Sequence, residues 1–117
     1  EAPLINDDGS LSVQLITALN TAFAKYDGDN DGLLTPLELS RLLFATNGAK
    51  PSLMESKQIC MHFNAQFDAQ NASRFTGSSV RLTCAAFIGF YAHQTNEDPA
   101  ETRKDLDKLG FDPRTLQ

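Results

Sequence analysis

Twelve consecutive residues, Asp27 to Glu38, place four carboxylates in a pattern that leaves the backbone little freedom. The stretch reads DGDNDGLLTPLE, with aspartates at positions one, three and five, glycine at position six and glutamate at position twelve. Carboxylates this close repel one another, which destabilises the folded loop. A bound positive charge would remove this repulsion. Gly32 at position six turns sharply because glycine adopts positive φ at little steric cost. The stretch therefore predicts a loop whose oxygens converge on a cation.

Calcium fits this pattern because it binds about six to eight oxygen ligands and tolerates irregular geometry. The spacing matches the loop D-x-[DN]-x-[DN]-G-x5-E, in which position seven lends its backbone carbonyl and position nine a side-chain oxygen or a bridging water. The predicted metal ligands are Asp27, Asp29, Asp31, Leu33 through its carbonyl, Thr35 and Glu38. Ca²⁺ is the expected cofactor, with Mg²⁺ as a competing ion.

A helix start lies inside this loop. Thr35 is the predicted N-cap, and Pro36 occupies the first helical position, where its missing N–H leaves no donor unpaired. Glu38 is therefore expected in the first turn of a helix, which is a stiff support for a ligand that binds through both carboxylate oxygens.

Apolar residues at helical spacing flank the loop on both sides. The incoming helix is predicted to begin at Leu11, and the outgoing helix to end near Asn47-Gly48, a favourable pair for a left-handed cap. Their apolar faces are Leu15, Leu19, Ala22, Phe23 and Tyr26 before the loop and Leu39, Leu42 and Leu43 after it. This helix–loop–helix resembles the EF-hand superfamily of calcium-binding proteins. The resemblance implies an all-α fold in which such hands occur in pairs.

Two further helices are predicted in the region expected to form the partner hand. Ser52 and Glu55 form a capping-box pattern that starts a third helix, and a fourth is expected after Leu82-Thr83, ending near His93. Between the two helices, residues 68–80 are polar without a regular period, which predicts a long loop. The apolar faces are Ile59, Phe63 and Phe67, with Cys60 nearby, in the third helix and Phe87, Phe90 and Tyr91 in the fourth.

The second hand is expected to lack an ion. Its resemblance to a hand places Leu82 at loop position eight, where it would pair as a short strand with Leu34 of the first loop. Ala86 then occupies position twelve and Phe75 position one, and neither side chain offers a ligand oxygen. A loop that starts at Asp68 instead would be about seven residues too long for a twelve-residue hand, so no calcium is expected in either alignment. The alternative, a helical hairpin unrelated to the first hand, stays open at this point.

A fifth helix is predicted near the C-terminal end. Asp98 as N-cap, Pro99 at the first helical position and Glu101 three residues after the cap are a strong start signal. Thr102, Leu106 and Leu109 share one face, and Gly110 with Phe111 matches a C-terminal cap. This helix either stays solvated or occupies the apolar groove of the paired hands, as target helices do.

The segment from Leu82 to Leu116 also resembles, more narrowly, the hand and following helix of Miro-type mitochondrial GTPases. The likeness is carried by Leu82-Thr83, Phe87, Phe90, Glu101-Thr102, Leu106 and Gly110-Phe111-Asp112. It implies an ion-free second hand and a C-terminal helix that mimics a ligand. The chain contains no P-loop, so it carries no GTPase site of that kind, and the long loop at 68–80 departs from the resemblance.

Three segments are predicted from these patterns. They are a flexible leader over 1–10, an EF-hand pair over 11–94 with its hands at 11–47 and 52–94, and a C-terminal helix and tail over 95–117. The expected function is a calcium-binding regulatory module that acts as a sensor for an intracellular protein partner or for other domains of a parent protein. The alternative is a calcium-stabilised structural module whose groove is filled by its own C-terminal helix.

The composition and the remaining residues argue against three functional classes: nucleic-acid binding, membrane insertion and catalysis. The net charge is −5, which argues against a nucleic-acid partner, and no apolar run approaches the roughly 18 residues that a membrane span needs. The serines and histidines form no recognisable nucleophile–base set, so no enzyme activity is expected.

Cys60 and Cys84 form no CxxC motif and are predicted to be free thiols of a reducing compartment, rather than a disulfide. We therefore expect the chain on the cytoplasmic side of membranes.

Overall fold

The computed structural model describes residues 2–112 and 114–117, without the side chain of Ser78, so Glu1 of the predicted leader and Pro113 of the predicted tail lie outside it. Within these residues the fold is predominantly helical, as predicted, with one small sheet. In chain order the elements are α1 Val13–Tyr26, β1 Leu33–Leu34, α2 Pro36–Asn47, α3 Leu53–Phe67, β2 Leu82–Thr83, α4 Cys84–Glu97 and α5 Pro99–Lys108. Two short 3₁₀ turns, Ala72–Arg74 and Gly77–Ser79, lie in the long loop.

The sheet joins the two helix–loop–helix units. β1 and β2 are antiparallel, with Leu33 opposite Thr83 and Leu34 opposite Leu82. Both Leu34 and Leu82 are fully buried. The predicted strand partner of Leu34 is therefore confirmed, and the two loops are joined through this pair of strands.

All five helices within the described residues begin with a side-chain cap. In each case an oxygen of the cap residue accepts a hydrogen bond from the backbone N–H three residues later; the caps are Ser12, Thr35, Ser52, Thr83 and Asp98. Thr35 with Glu38 and Ser52 with Glu55 form complete capping boxes. Each cap is worth about 1 kcal/mol. The first helix starts at Val13, after its Ser12 cap, and not at Leu11.

Two helices end at or next to the glycines that the sequence predicts, whereas a third helix ends later than predicted. Gly48 ends α2 with φ of 74°, and Gly110, with φ of 96°, follows α5. The prediction that α4 ends near His93 is wrong, because the helix continues to Glu97. It stops at Asp98, whose φ of −151° is extended, as favoured for a residue that precedes proline.

The buried face of α3 differs from the predicted one. Its fully buried residues are Ser56, Cys60 and Asn64, whereas Ile59, Phe63 and Phe67 are only partly buried. Small side chains at four-residue spacing form the surface that packs most closely, and the larger apolar side chains border it. An apolar pattern alone could not identify this face because two of its three residues are polar.

The predicted flexible leader over 1–10 is packed on the domain where it is described. Leu4 is buried, and Ile5 forms an antiparallel bridge with Leu11. The backbone N–H of Ser12 donates to the carbonyl of Leu4 at 2.9 Å. Leu4 and Leu11 belong to the single hydrophobic core, which is why this segment folds back on α1.

The last helix packs against the two helices that follow the loops. α5 contacts α2 and α4, and Leu106 and Leu109 are buried in the core. The Lys108 ammonium donates to the carbonyl of Thr46 at 2.8 Å, near the C-terminal end of α2, where a positive charge is favourable. Of the two predicted states of this helix, solvated or packed, the structure contains the packed one.

The segment after α5 also returns to the domain. Leu116 is buried, and the carbonyl of Arg114 accepts the backbone N–H of Ala2 at 2.6 Å. Among the described residues, none of the helices combines the length and the apolar character needed to cross a membrane.

Replacing Leu106 by alanine should destabilise the fold by about 2–5 kcal/mol, because the side chain is fully buried and leaves a cavity. The matched control is Leu53→Ala, which truncates a leucine that is 58% exposed and should change stability by less than about 0.5 kcal/mol. Urea unfolding of the two variants and the parent chain measures both. Equal losses in the two variants would contradict the packed position of α5.

Candidate metal centre

Three of the predicted ligands meet in space. Carboxylate oxygens of Asp27, Asp29 and Glu38 all lie within 4.8 Å of one another. Asp27 is buried directly after α1, Asp29 is exposed in the loop, and Glu38 is half-buried in the first turn of α2. Residues that are up to eleven positions apart in the sequence thus present hard oxygen atoms to one point. Such a set can hold a metal ion.

Asp27 also shapes the turn of the loop. Its Oδ2 accepts the backbone N–H of Gly32 at 2.8 Å, and its Oδ1 accepts that of Asp31 at 3.3 Å. Gly32 has φ of 79°, as position six requires, and Asn30 also has a positive φ, 57°. Asparagine tolerates this left-handed conformation better than most residues. One side chain therefore holds two backbone amides and closes the first half of the loop.

Glu38 connects the two ends of the loop. Its Oε1 accepts the backbone N–H of Thr35 at 2.8 Å, and its Oε2 accepts that of Gly28 at 2.7 Å. A Cβ atom on Gly28 would lie 3.1 Å from Oε2, which is a tight approach. Gly28 is thus a site residue that sequence reasoning missed, because the loop pattern leaves position two free. Its signal is a small residue between two ligand aspartates.

The remaining predicted ligands lie nearby but make other contacts. The Asp31 carboxylate is not part of the three-acid cluster, and its Oδ1 accepts the backbone N–H of Leu33 at 3.0 Å. The Thr35 hydroxyl accepts the N–H of Glu38 at 3.1 Å as the helix cap. Leu33 lies in β1, opposite Thr83. The structure therefore brings three of the six predicted ligands together.

The end of the second loop resembles the end of the first, but it has an alanine where the first loop has Glu38. Leu82, Thr83 and Ala86 each follow their counterparts in the first loop by forty-eight residues. Thr83 caps α4 by accepting the N–H of Ala86, just as Thr35 accepts that of Glu38. Within the described part of the chain, the three-acid cluster of the first loop is the one group of this kind.

A buried polar cluster lies between α4 and α5, away from the loop. The carboxylate Oδ2 of Asp105 accepts the Tyr91 hydroxyl at 3.1 Å and the Gln94 amide at 3.3 Å. The hydroxyls of Thr95 and Thr102 are 2.8 Å apart and share a hydrogen bond. Both threonines are fully buried. The sequence signal for this cluster is the three- to four-residue spacing of these polar residues in each helix.

Asp105 is a titratable group of this cluster, and its pKa is shifted by burial. Burial raises the pKa of its carboxyl, and Glu101 acts in the same direction, whereas hydrogen bonds from Gln94 and Tyr91 and the charge of Lys108 oppose it. Its Oδ1 is buried and has no hydrogen-bond partner among the described residues. Burial also raises the pKa of Tyr91.

The two cysteines are free thiols, as predicted. Burial raises the pKa of Cys60 to about 12, and it also raises the pKa of Cys84. A thiol is a nucleophile or a metal ligand in its deprotonated form. Burial therefore favours the protonated thiol at both positions.

Comparisons with protein-family models, with curated proteins and with solved structures find no match to this chain. The functional argument therefore depends on the contacts and charges of the chain itself.

Replacing Asp105 by asparagine should remove a pH-dependent loss of stability. Because the folded-state pKa is raised, folding favours the protonated carboxyl, and native stability falls as the pH rises above about 4. The stability of Asp105→Asn minus that of the parent should therefore increase between pH 4 and pH 7.

The matched control is Asp107→Asn, an exposed aspartate on the same helix. Because this side chain is exposed, the burial argument predicts a smaller change in its stability difference over this range. Urea unfolding at several pH values measures both differences. A difference for Asp105→Asn that is flat, or that decreases with pH, would contradict the burial argument.

Proposed function

We propose that this chain is a calcium-binding module of paired EF-hands in which only the first hand binds an ion. The observation that carries the proposal is the convergence of Asp27, Asp29 and Glu38 within 4.8 Å. These three acids lie on a twelve-residue loop between two capped helices, which is the arrangement that the sequence pattern predicts.

Charge and ligand type support calcium over other metals. The cluster offers carboxylate oxygens, which suit hard cations such as Ca²⁺ and Mg²⁺, and it contains no thiolate or imidazole. Mg²⁺ demands near-octahedral geometry with short bonds, whereas Ca²⁺ accepts more ligands and a bidentate carboxylate. Glu38, on the first turn of α2, would bind the ion through both carboxylate oxygens. Asp31, the Leu33 carbonyl and Thr35 complete the proposed set of ligands through local adjustments of the loop.

The pairing of β1 with β2 supports the second part of the proposal. A single hand would leave Leu34 exposed, and Leu82 buries it from the other loop. Thr83 starts α4 in the same way that Thr35 starts α2. The second hand then serves as the structural partner of the first, without a carboxylate at Ala86 to bind an ion.

The role of calcium in this module has two candidate forms. In the first, calcium shifts the helices and exposes an apolar surface to a protein partner or to other domains of a parent protein on the cytoplasmic side. In the second, calcium stabilises a closed module whose groove is filled by α5. The burial of Leu106 and Leu109 against α2 and α4 favours the second form, because a sensor would first have to release this helix.

Replacing Glu38 by glutamine should lower calcium affinity at least about ten-fold, since it removes a charged bidentate ligand. The matched control is Glu55→Gln. Glu55 occupies an equivalent capping box with Ser52 at the start of α3, but it is not part of the acidic cluster. Isothermal titration calorimetry with CaCl₂ should show unchanged affinity in the control. Equal affinities of the parent and Glu38→Gln would contradict the assignment of the ligands.

Calcium titration followed by amide NMR separates the two candidate roles. The structural role predicts shifts confined to residues 27–38 and the adjoining strand 82–83, with the amides of Leu106 and Leu109 unchanged. The sensor role predicts changes throughout α5 as it leaves α2 and α4. MgCl₂ is the control ion, and it should produce weaker changes at the same loop. Large shifts across α5 with calcium would contradict the structural role.

A further inference from the structure

Asn64 of α3 connects two backbone groups on either side of Leu82. Its Nδ2 donates to the carbonyl of Arg81 at 2.6 Å, and its Oδ1 accepts the N–H of Thr83 at 3.2 Å. The residue is 1% exposed, so neither backbone group depends on bulk water for its partner. Only this orientation of the amide matches a donor with the carbonyl and an acceptor with the N–H.

The two groups have exact counterparts in the first loop. Forty-eight residues earlier, Arg81 corresponds to Leu33 and Thr83 to Thr35. The Thr35 N–H is accepted by Oε1 of Glu38, and the Leu33 carbonyl is a proposed ligand of the cation. The second loop lacks both partners, because Ala86 stands in place of Glu38 and no acidic cluster is found there among the described residues.

We propose that Asn64 takes over these two roles in the second loop, so that this loop keeps its shape without an ion. The amide hydrogens satisfy the Arg81 carbonyl in place of a cation, and the amide oxygen satisfies the Thr83 N–H in place of a glutamate. The comparison with a bound cation rests on the proposed function, whereas the two hydrogen bonds do not.

This positioning role affects the first loop through the sheet. Thr83 lies opposite Leu33, so a neighbour that holds Thr83 in place also limits the movement of the strand that carries a proposed ligand. A partner loop that is ordered before the ion arrives reduces the conformational entropy lost on binding. Asn64 should therefore increase calcium affinity at a site it does not touch.

The test uses the full chain with Asn64→Ala, and Gln66→Ala serves as the control because it removes an exposed amide from the same helix. Without metal, the Thr83 amide should exchange with solvent at least about ten-fold faster in Asn64→Ala than in the parent, because a buried donor has lost its acceptor. The CaCl₂ dissociation constant should increase about three- to ten-fold through coupling across the sheet. Gln66→Ala should change neither quantity.

Asn64→Asp provides a second variant of nearly the same volume in case the alanine variant does not fold. In its ionised form it keeps an acceptor for the Thr83 N–H but has no donor for the Arg81 carbonyl, so the variant is measured at a pH at which the new carboxyl is ionised. The ¹³C resonance of the Arg81 carbonyl should therefore shift, while Thr83 exchange accelerates less than in Asn64→Ala.

Equal Thr83 exchange in Asn64→Ala and Gln66→Ala would overturn the proposal, and so would an unshifted Arg81 carbonyl in Asn64→Asp. Two bound calcium ions per parent chain would overturn it as well, since the second loop would then bind an ion itself. If the parent bound no calcium, the proposed function would fail, and Thr83 exchange without metal would still decide the role of Asn64.

Discussion

The pairing of Leu34 with Leu82 is the contact on which the rest of the structure depends. Each leucine lies immediately before the cap residue of the following helix, so the register of this pair places the starts of α2 and α4 relative to each other. α5 contacts both of these helices and can pack only when they are correctly spaced. A slip of one residue would turn the buried leucines outward, and it would separate the elements that carry the acidic loop.

The two loops on either side of this pair are stabilised by different chemistry. In the first, Glu38 accepts backbone amides from both ends of the loop, and its charge makes the same side chain attractive to a cation. In the second, the neutral amide of Asn64 supplies a donor and an acceptor together. A carboxylate can exchange its hydrogen bonds for an ion, whereas an amide that already satisfies both partners has little reason to do so. The two loops therefore differ in the charge of the side chain that holds their backbone: a carboxylate in the first loop and a neutral amide in the second.

Local features of the fold were predictable because they depend on a few neighbouring residues. The cap at Thr35, the capping box at Ser52 and the left-handed glycines at Gly48 and Gly110 follow from turn and helix-end geometry alone. The placement of three acids around one point also follows from loop spacing. The packing of Leu4, however, depends on contacts with residues distant in the sequence. A polar residue such as Asn64 carries no pattern that marks it as buried, so its role is visible only in three dimensions.

The shared cap at Asp98 has a mechanical consequence. The same residue ends α4 and begins α5, and Pro99 restricts its backbone further. One shared residue joins the two helices, so a displacement of α4 would be passed directly to α5. Because α5 also contacts α2, such a displacement would strain the packing of α5 on α2.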